Sequence, residues 1–254
     1  IAAIAQMEMK TRLENQELGT HLVVEGSEVK KQELVACEVG TNISIKNLFF
    51  NIPARRNFLK SNSVEFRHIM DEFQRVVLAY PEVGFTFMNN DALELELPAS
   101  KLSQRIVSLF GKNYQQQLVP CSEETEHIRI TGYIGKPESA KRTRGEQFIF
   151  VNKRFIKSNY LNHAIAGAYT GLLPEGSFPF YVLNLEIDPK HIDVNMHPTK
   201  TEIKFVDERS VYGIVLAATR QALGAHSLMP ALDFQADVNI VSKLKQSSGD
   251  DYIE

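Results

Sequence analysis

Residues 192–200 combine side chains that could do chemistry on a phosphate group. Apolar and polar residues alternate from 192 to 197, which predicts a short strand. Three polar residues share one face of this strand, namely Asp193, Asn195 and His197. Pro198 then forces a turn that presents Lys200 on a tight loop between two strands. A lysine on a rigid loop suits a terminal phosphate, because its ammonium group is a compact charge with three donors and a fixed loop loses little entropy on binding. The alternative is an exposed hairpin lysine.

The same Asp-x-Asn-x-His pattern could also suggest a metal site. However, alternate residues of a strand usually form a hydrogen-bonded polar face. Neither His191 nor His197 has a third partner at a convincing ligand spacing. We therefore expect no metal site in this chain.

Residues 40–61 place two cations at the start of a predicted helix. After a short strand and an apolar Leu-Phe-Phe run, the chain turns at Asn51 and enters the helix through Pro53, a residue that a first helical turn tolerates. Arg55 and Arg56 follow in the same turn, where the helix dipole disfavours positive charge. Either a bound ligand or a solvated surface turn would explain this pair.

A third candidate is the basic segment 136–157. Seven basic residues stand there against two acidic ones, which gives the segment a charge of +5 and leaves −8 for the rest of a chain whose net charge is −3. The basic residues are Lys136, Lys141, Arg142, Arg144, Lys153, Arg154 and Lys157. A local basic stretch can bind a phosphate backbone although the whole chain is acidic. A solvated basic face is the alternative.

Composition limits the class of protein. The 254 residues are 43% hydrophobic and 23% charged, as in ordinary globular proteins. No window approaches roughly 18 uninterrupted apolar residues, so we expect no membrane span. Cys37 and Cys121 form no Cys-x-x-Cys pair, which fits a reducing, cytoplasmic setting. The chain starts at Ile1 without an initiator methionine, and we expect it to be the middle of a longer protein.

Hydrophobic periodicity divides the chain into two regions near Pro98. The first region is predicted to form antiparallel strands, then a helix over 64–79 and a hairpin over 85–97. The second region alternates strands and helices, which predicts a sheet with helices on one side. A last helix is predicted over 207–223, and the composition from 227 onward is typical of a linker.

The segment 40–61 resembles a marker of the MutL family of DNA mismatch repair proteins. The match comprises Gly-Thr, a short strand, Leu-Phe and then Asn-x-Pro-Ala-Arg-Arg-x-Phe-Leu, without a gap. In that family the segment is the last ATP-site motif of the split-ATPase (GHKL) superfamily. The resemblance implies that Thr41 lies beside the adenine pocket. It also implies that the following residues support the ATP site: Gly40, Asn51, Pro53, Arg55 and Arg56.

Residues 193–200 match the second signature of the same family, Asp-Val-Asn-x-His-Pro-x-Lys. The resemblance implies that Lys200 reaches from a second domain to the γ-phosphate of bound ATP, so that this domain senses which nucleotide is present. Such a charge-assisted contact contributes roughly 1.5–3 kcal/mol, enough to favour a closed state with ATP. The implied supporting residues are Asp193, Asn195 and His197.

A third match covers Val-Asn-Lys-Arg at 151–154 and Asn-His-Ala-Ile at 162–165. It resembles a strand and helix that, in MutL relatives, belong to a basic groove contacting DNA without reading its sequence. The resemblance implies DNA binding by Lys153, Arg154 and Lys157. Asn159 stands where relatives often carry another basic residue, so we expect a weaker groove here.

The resemblance covers about residues 1–225 and implies an α+β fold. Residues 1–98 would be the C-terminal part of a GHKL ATPase α/β sandwich. Residues 99–225 would form a ribosomal protein S5 domain 2-like transducer domain, a fold noted for a left-handed βαβ crossover against the usual rule. Residues 226–254 would be a linker or tail.

The resemblance further implies part of a DNA mismatch repair protein that binds and hydrolyses ATP with Mg²⁺, forms a homodimer when ATP binds, and binds DNA independently of sequence. The implied partners are the mismatch-recognition protein MutS and a downstream repair nuclease or helicase. We expect a bacterial-type cytoplasmic protein that associates with the nucleoid when active, and no membrane partner.

In this family the catalytic glutamate, the metal-binding asparagine and the glycine-rich lid lie upstream of the position of Ile1. We therefore name no catalytic residue, and expect that this chain alone binds no cofactor tightly and does not hydrolyse ATP. One alternative is a non-enzymatic DNA-binding or scaffold module that uses the basic groove alone. Another is a related type II topoisomerase ATPase fragment, which would be expected to show Gln-x-Lys where this chain has Pro198 before Lys200.

Overall fold

The computed structural model describes the backbone of residues 1–193 and 201–228, and the side chains of these residues except 226–228. Residue contacts divide the chain into two compact units, Ile1–Asp71 and Glu72–Glu254. The predicted boundary near Pro98, and the domains 1–98 and 99–225 that it defines, stay predictions. Helices and strands are mixed throughout, so the predicted α+β class is confirmed.

The first unit is built on one antiparallel sheet of four strands in the order β3-β2-β1-β4. Its strands are β1 Gln6–Arg12, β2 Gly19–Glu25, β3 Glu28–Val35 and β4 Gly40–Lys46. In register, Met7 lies opposite Ile45 and Met9 opposite Ile43, so alternate positions give the sheet one apolar face. The residues before β1 form a turn.

Two helices follow this sheet. Helix α1 covers only Pro53–Asn57, and helix α2 runs over Asn62–Ala79 into the second unit. Asn62 is the first residue of α2. The Glu65 carboxylate accepts a hydrogen bond from the backbone N–H of Lys60, at 2.8 Å, and so satisfies a donor just before the helix.

The second unit begins with the predicted hairpin, β5 Phe85–Asn89 and β6 Ala92–Leu97. Asn90 and Asp91 connect the strands with positive φ angles of 47° and 66°, a conformation that these two residue types tolerate. Helices α3 Leu102–Phe110 and α4 Tyr114–Gln117 follow.

A five-stranded sheet in the order β10-β9-β11-β8-β7 forms the centre of this unit. Its strands are β7 Leu118–Glu124, β8 Ile128–Gly135, β9 Gln147–Val151, β10 Arg154–Ile156 and β11 Tyr181–Ile187. β11 pairs with β9 in parallel, and the other pairs are antiparallel. A parallel pair needs a crossover, and helix α5 Asn159–Ala168 lies within that connection.

Both faces of this sheet are covered by helices, so the prediction of helices on one side is wrong. One face packs on α5 and on α6 Glu208–Leu228 through a core that includes Ile130, Ile149, Leu161, Ile165, Leu185 and Val215. The other face packs on the end of α2, α3 and α4 through Leu78, Ile106, Tyr114, Phe148, Phe150, Phe180 and Val182. Burial on both faces explains why β9 and β11 are almost continuously apolar.

Two short strands, β12 Ile192–Asp193 and β13 Lys204–Phe205, form a separate ladder before α6. Asp207 precedes α6 and accepts a hydrogen bond from the backbone N–H of Ser210, at 3.0 Å, which caps the helix. Within the described ranges, no helix is both long and apolar enough to cross a membrane.

Candidate functional site

Gly40 and Thr41 open strand β4 at the edge of the first unit's sheet. The φ angle of Gly40 is +115°, a value that favours glycine. Thr41 lies directly opposite Thr11, and their side-chain oxygens are 2.8 Å apart. Gly40 and Thr41 border a cleft of about 390 Å³. Its other lining residues are Lys10, Cys37, Glu38, Val39 and Asn42.

The cleft is polar, since its lining includes the hydroxyl group of Thr41, the ammonium group of Lys10 and the carboxylate of Glu38. Two hydroxyl groups carry two hydrogens, and the bond between Thr11 and Thr41 uses only one of them. When Thr11 is the donor of this bond, the hydrogen of the Thr41 hydroxyl is left for an acceptor in the cleft. The positive charge of Lys10 is offset there by Glu38. Thr11 and Lys10 were not predicted; they are consecutive residues of β1, the strand that pairs with β4. The described part of the chain contains no group of three or more His, Cys, Asp or Glu side chains that could hold a metal ion.

Asn51 anchors the turn that follows β4. Its side-chain amide donates to the backbone carbonyl of Ala3, at 2.9 Å, and the backbone N–H of Phe49 donates to the carbonyl of Ile4, at 2.7 Å. These two bonds tie the turn to the start of the chain. Pro53 then opens α1, as predicted.

Arg55 and Arg56 are exposed on α1, and within the described ranges their guanidinium groups make no hydrogen bond or ion pair. Because α1 has only five residues, its first turn is also its last, where the helix dipole favours positive charge. The electrostatic conflict inferred from the sequence therefore disappears. The two arginines remain available for a partner outside the described residues.

The second predicted motif lies largely outside the described residues. This applies to Asn195, His197 and Lys200. Asp193 is described and pairs with Lys204 in the β12–β13 ladder. Immediately after the undescribed stretch, the carbonyl of Thr201 accepts a hydrogen bond from the backbone N–H of Lys157, at 2.7 Å.

The hairpin between β9 and β10 presents the predicted DNA-binding residues. Its turn is formed by Asn152 and Lys153, with positive φ angles of 49° and 64°. The amide of Asn152 donates to the carbonyl of Ile187, at 2.8 Å, and accepts from its N–H, at 3.0 Å. The turn is therefore fixed to the end of β11, and the backbone of Lys153 is held with it.

Lys153 is paired with Glu82. The Nζ atom lies 2.5 Å from Oε1 of Glu82 and 5.1 Å from the centre of the Tyr80 ring. This hydrogen bond lowers the pKa of Glu82 below its usual value and raises the pKa of Lys153. Both groups are half-exposed, so the pair contributes little to stability. The pair matters because the ammonium group of Lys153 already donates a hydrogen bond to the carboxylate of Glu82.

Lys153 and Arg154 border a shallow basic cleft of about 210 Å³. The cleft is lined by Glu72, Arg75, Val76, Ala79, Tyr80, Lys153, Arg154, Phe155 and Thr201. The Arg75 guanidinium lies 4.3 Å above the centre of the Phe155 ring and forms an ion pair with Glu72. Among the described residues, no carboxylate pairs with Arg154 or Lys157. Sequence reasoning missed Glu72, Arg75, Tyr80 and Glu82, which α2 and the turn after it contribute.

Other cations of the 136–157 segment contact the protein itself. Lys141 pairs with Glu146, at 2.6 Å, and lies 5.2 Å from the centre of the Tyr114 ring. The Arg144 guanidinium stacks 4.4 Å from the centre of the Phe178 ring. The segment is therefore not one uniform phosphate-binding surface, and its charge is partly neutralised within the fold.

Comparison with known proteins gives a consistent set of relatives. A family model described as the C-terminal domain of DNA mismatch repair protein matches residues 106–224. The DNA mismatch repair protein MutL of Flavobacterium johnsoniae is 55% identical over 94% of this chain and 37% of its own length. The corresponding MutL of Bacteroides fragilis is 47% identical over 93% of this chain and 38% of its own length. The chain thus spans little more than a third of the curated relatives that it matches.

Solved structures agree on the fold. The N-terminal domain of a DNA repair protein matches with a TM-score of 0.76 at 22% identity, over 89% of this chain and 74% of that one. The MutL ATPase domain of Aquifex aeolicus, complexed with ADP, matches with a TM-score of 0.61 at 24% identity, over 85% of this chain and 74% of that one. At these identities the likeness describes the fold alone.

Proposed function

The chain belongs to the MutL family of DNA mismatch repair proteins, and on that premise we propose that it supplies a DNA-binding surface and one edge of the ATP site to a repair ATPase. The full-length protein would bind and hydrolyse ATP with Mg²⁺, dimerise when ATP binds, and pass mismatch recognition by MutS to a downstream nuclease or helicase. The observation that carries the DNA-binding part is the basic hairpin of β9 and β10, fixed by Asn152.

DNA binding would be electrostatic and independent of sequence. Arg154 and Lys157 offer charges that no described carboxylate neutralises, and the hairpin presents them without side chains suited to reading bases. Contacts of this type act on phosphates and release counterions, so they depend strongly on salt.

This proposal is tested with the double variant Arg154→Glu, Lys157→Glu in the full-length protein. We expect weaker binding to every duplex sequence by a similar factor. The slope of log affinity against log salt should decrease in magnitude by about 2, because two phosphate contacts are lost. The control is Lys101→Glu with Lys112→Glu, which changes the net charge equally at two exposed positions. Equal effects of the two double variants would contradict a defined DNA-binding site.

The ATP part of the proposal rests on Gly40 and Thr41. The positive φ of Gly40 shapes the start of β4, and the hydroxyl of Thr41 is exposed in the cleft. Asn51 and Pro53 would support this edge through the turn after β4, and Arg55 and Arg56 from the helix that follows. Bound ATP would supply the phosphate chain, whereas the residues named here would position the nucleotide.

Lys200 is proposed as the γ-phosphate sensor of the second domain, supported by Asp193, Asn195 and His197. In full-length protein, Lys200→Ala should weaken binding of a non-hydrolysable ATP analogue about 10-fold or more and leave ADP binding unchanged, because a charge-assisted hydrogen bond is lost only with ATP. Lys204→Ala, on the neighbouring strand β13, is the matched control. Unchanged affinity for the ATP analogue in Lys200→Ala would refute the sensor role.

A non-enzymatic DNA-binding or scaffold module is the second candidate. One observation favours this module. Every residue that lines the basic cleft lies in the second unit, so the cleft is formed without the residues proposed for the ATP site in the first unit. The test is to measure DNA affinity and dimerisation of the full-length protein with and without the ATP analogue. A response to the analogue supports the ATPase, and no response supports the module.

A further inference from the structure

The carboxylate of Glu82 is held in place opposite Lys153. Glu82 lies between Pro81 and Val83, and both neighbouring carbonyls accept hydrogen bonds from Nη2 of Arg105, at 2.8 and 2.7 Å. Arg105 itself is completely buried. The backbone on each side of Glu82 is thus fixed by an interior side chain, which is unusual support for an exposed acidic residue.

The other side of the pair is equally fixed. The backbone of Lys153 belongs to the tight turn that Asn152 anchors to Ile187. Two short, well-supported segments therefore bring one carboxylate and one ammonium group together at 2.5 Å. The backbones that carry the two groups are held in place, while both side chains remain half-exposed as in other surface ion pairs.

We propose that Glu82 is a built-in competitor for DNA phosphate at Lys153. This inference rests on the proposed DNA-binding function of the cleft. A phosphate that approaches Lys153 must displace a carboxylate that is already in hydrogen-bond contact. Arg75 is paired with Glu72 in the same cleft, so two of its cations are occupied by carboxylates while Arg154 remains available. The arrangement keeps DNA affinity lower than the basic residues of the cleft would give without Glu82.

The test uses Glu82→Gln, which keeps the size of the side chain and removes its charge. With a fluorescent duplex of random sequence at low salt, the full-length variant should bind about 3- to 10-fold more tightly than the wild type. The slope of log affinity against log salt should become steeper by about 0.9, the value for one additional phosphate contact. The matched control is Glu175→Gln, which changes the net charge equally at an exposed position.

A second comparison separates competition from a general charge effect. In a Lys153→Ala background, Glu82→Gln should no longer raise the affinity, because the cation that it releases is gone. A urea midpoint equal to that of the wild type would show that Glu82→Gln leaves the fold intact.

The possible failures are distinguishable. If the wild type does not bind DNA in a salt-dependent manner, the proposed function fails. If the wild type binds but Glu82→Gln behaves like Glu175→Gln, or still raises the affinity without Lys153, the competitor role is overturned and the pair only connects the turn to the hairpin.

Discussion

The side-chain oxygens of Thr11 and Thr41 lie 2.8 Å apart, across the pairing of β1 with β4. Both hydroxyl groups are at the surface, so the bond itself contributes little to stability. Its consequence is chemical, because it orients one hydroxyl and leaves the second hydrogen of the pair for a ligand in the adjoining cleft.

Replacing Thr41 with valine should therefore affect ligand binding and spare the fold. Valine keeps the branched shape that suits a strand and removes the hydroxyl. In full-length protein we expect about a 3- to 10-fold loss of affinity for ATP analogue and ADP alike, the value of one neutral hydrogen bond. Thr41→Ser should retain most of the affinity. Nucleotide binding measured by calorimetry that is unchanged in Thr41→Val would show that this edge does not contact the nucleotide.

Arg105 should be among the most sensitive positions of the second unit. Its buried guanidinium donates to the carbonyls of Pro81, Val83, Leu97 and Pro98. Arg105→Met fills similar space but leaves these carbonyls without their donor, so we expect a loss of about 2–5 kcal/mol in the free energy of unfolding by urea. Arg129→Met, which removes a largely exposed ion pair with Glu124, should cost less than about 1 kcal/mol. Similar losses for both variants would contradict this account.

Gly132 should tolerate no side chain. It has a φ angle of +146° in the central strand β8, and an added Cβ would overlap the carbonyl oxygen of Val182 and lie 3.0 Å from Cα of Leu183. We expect Gly132→Ala to lower the free energy of unfolding by about 3 kcal/mol or more, since the neighbouring backbone of β11 must move. Gly213→Ala in α6 meets open space and should stabilise the protein by up to about 1 kcal/mol. Chemical denaturation of the two variants provides the check.

The thiol of Cys121 should make the free energy of unfolding decrease as the pH rises through the alkaline range. Burial raises the pKa of its thiol to about 11, and the charge of Glu123 adds to this shift. The pKa of a cysteine in an unfolded chain is about 8.5. Between these values the unfolded chain loses the proton and the folded protein keeps it, so this contribution to stability is complete below pH 8.5 and falls as the pH rises towards 11.

The measurement compares the wild type with Cys121→Ala in urea at pH 7.5 and pH 10.5. Each pKa unit corresponds to about 1.4 kcal/mol. The stability advantage of the wild type should therefore shrink by about 2 kcal/mol between these two pH values. An advantage that stays constant would mean that the thiol of Cys121 does not titrate as its burial requires.

Much of the fold could be predicted because burial on one or both faces leaves a regular pattern of apolar residues. Strand β1 and the hairpin of β5 and β6 follow such patterns. Strand β3 was not predicted as a separate strand, because nearly all of its residues are exposed and its three apolar residues, Val29, Leu34 and Val35, fall on no regular period. The helices on the second face of the five-stranded sheet were also not predicted. A continuous apolar run shows that a strand is buried, but it does not indicate which elements cover each face.

The sequence by itself determined the family, because two ordered motifs contain residue types and spacings that few other proteins share. The resemblance also singled out Thr41 for the ATP site and Lys153, Arg154 and Lys157 for DNA binding, and these roles stay predictions. Only the tertiary structure decided which charges remain available. Lys153 and Glu82 are 71 positions apart in the chain. Their pairing depends on a buried arginine and an anchored hairpin, and no local pattern records such long-range contacts.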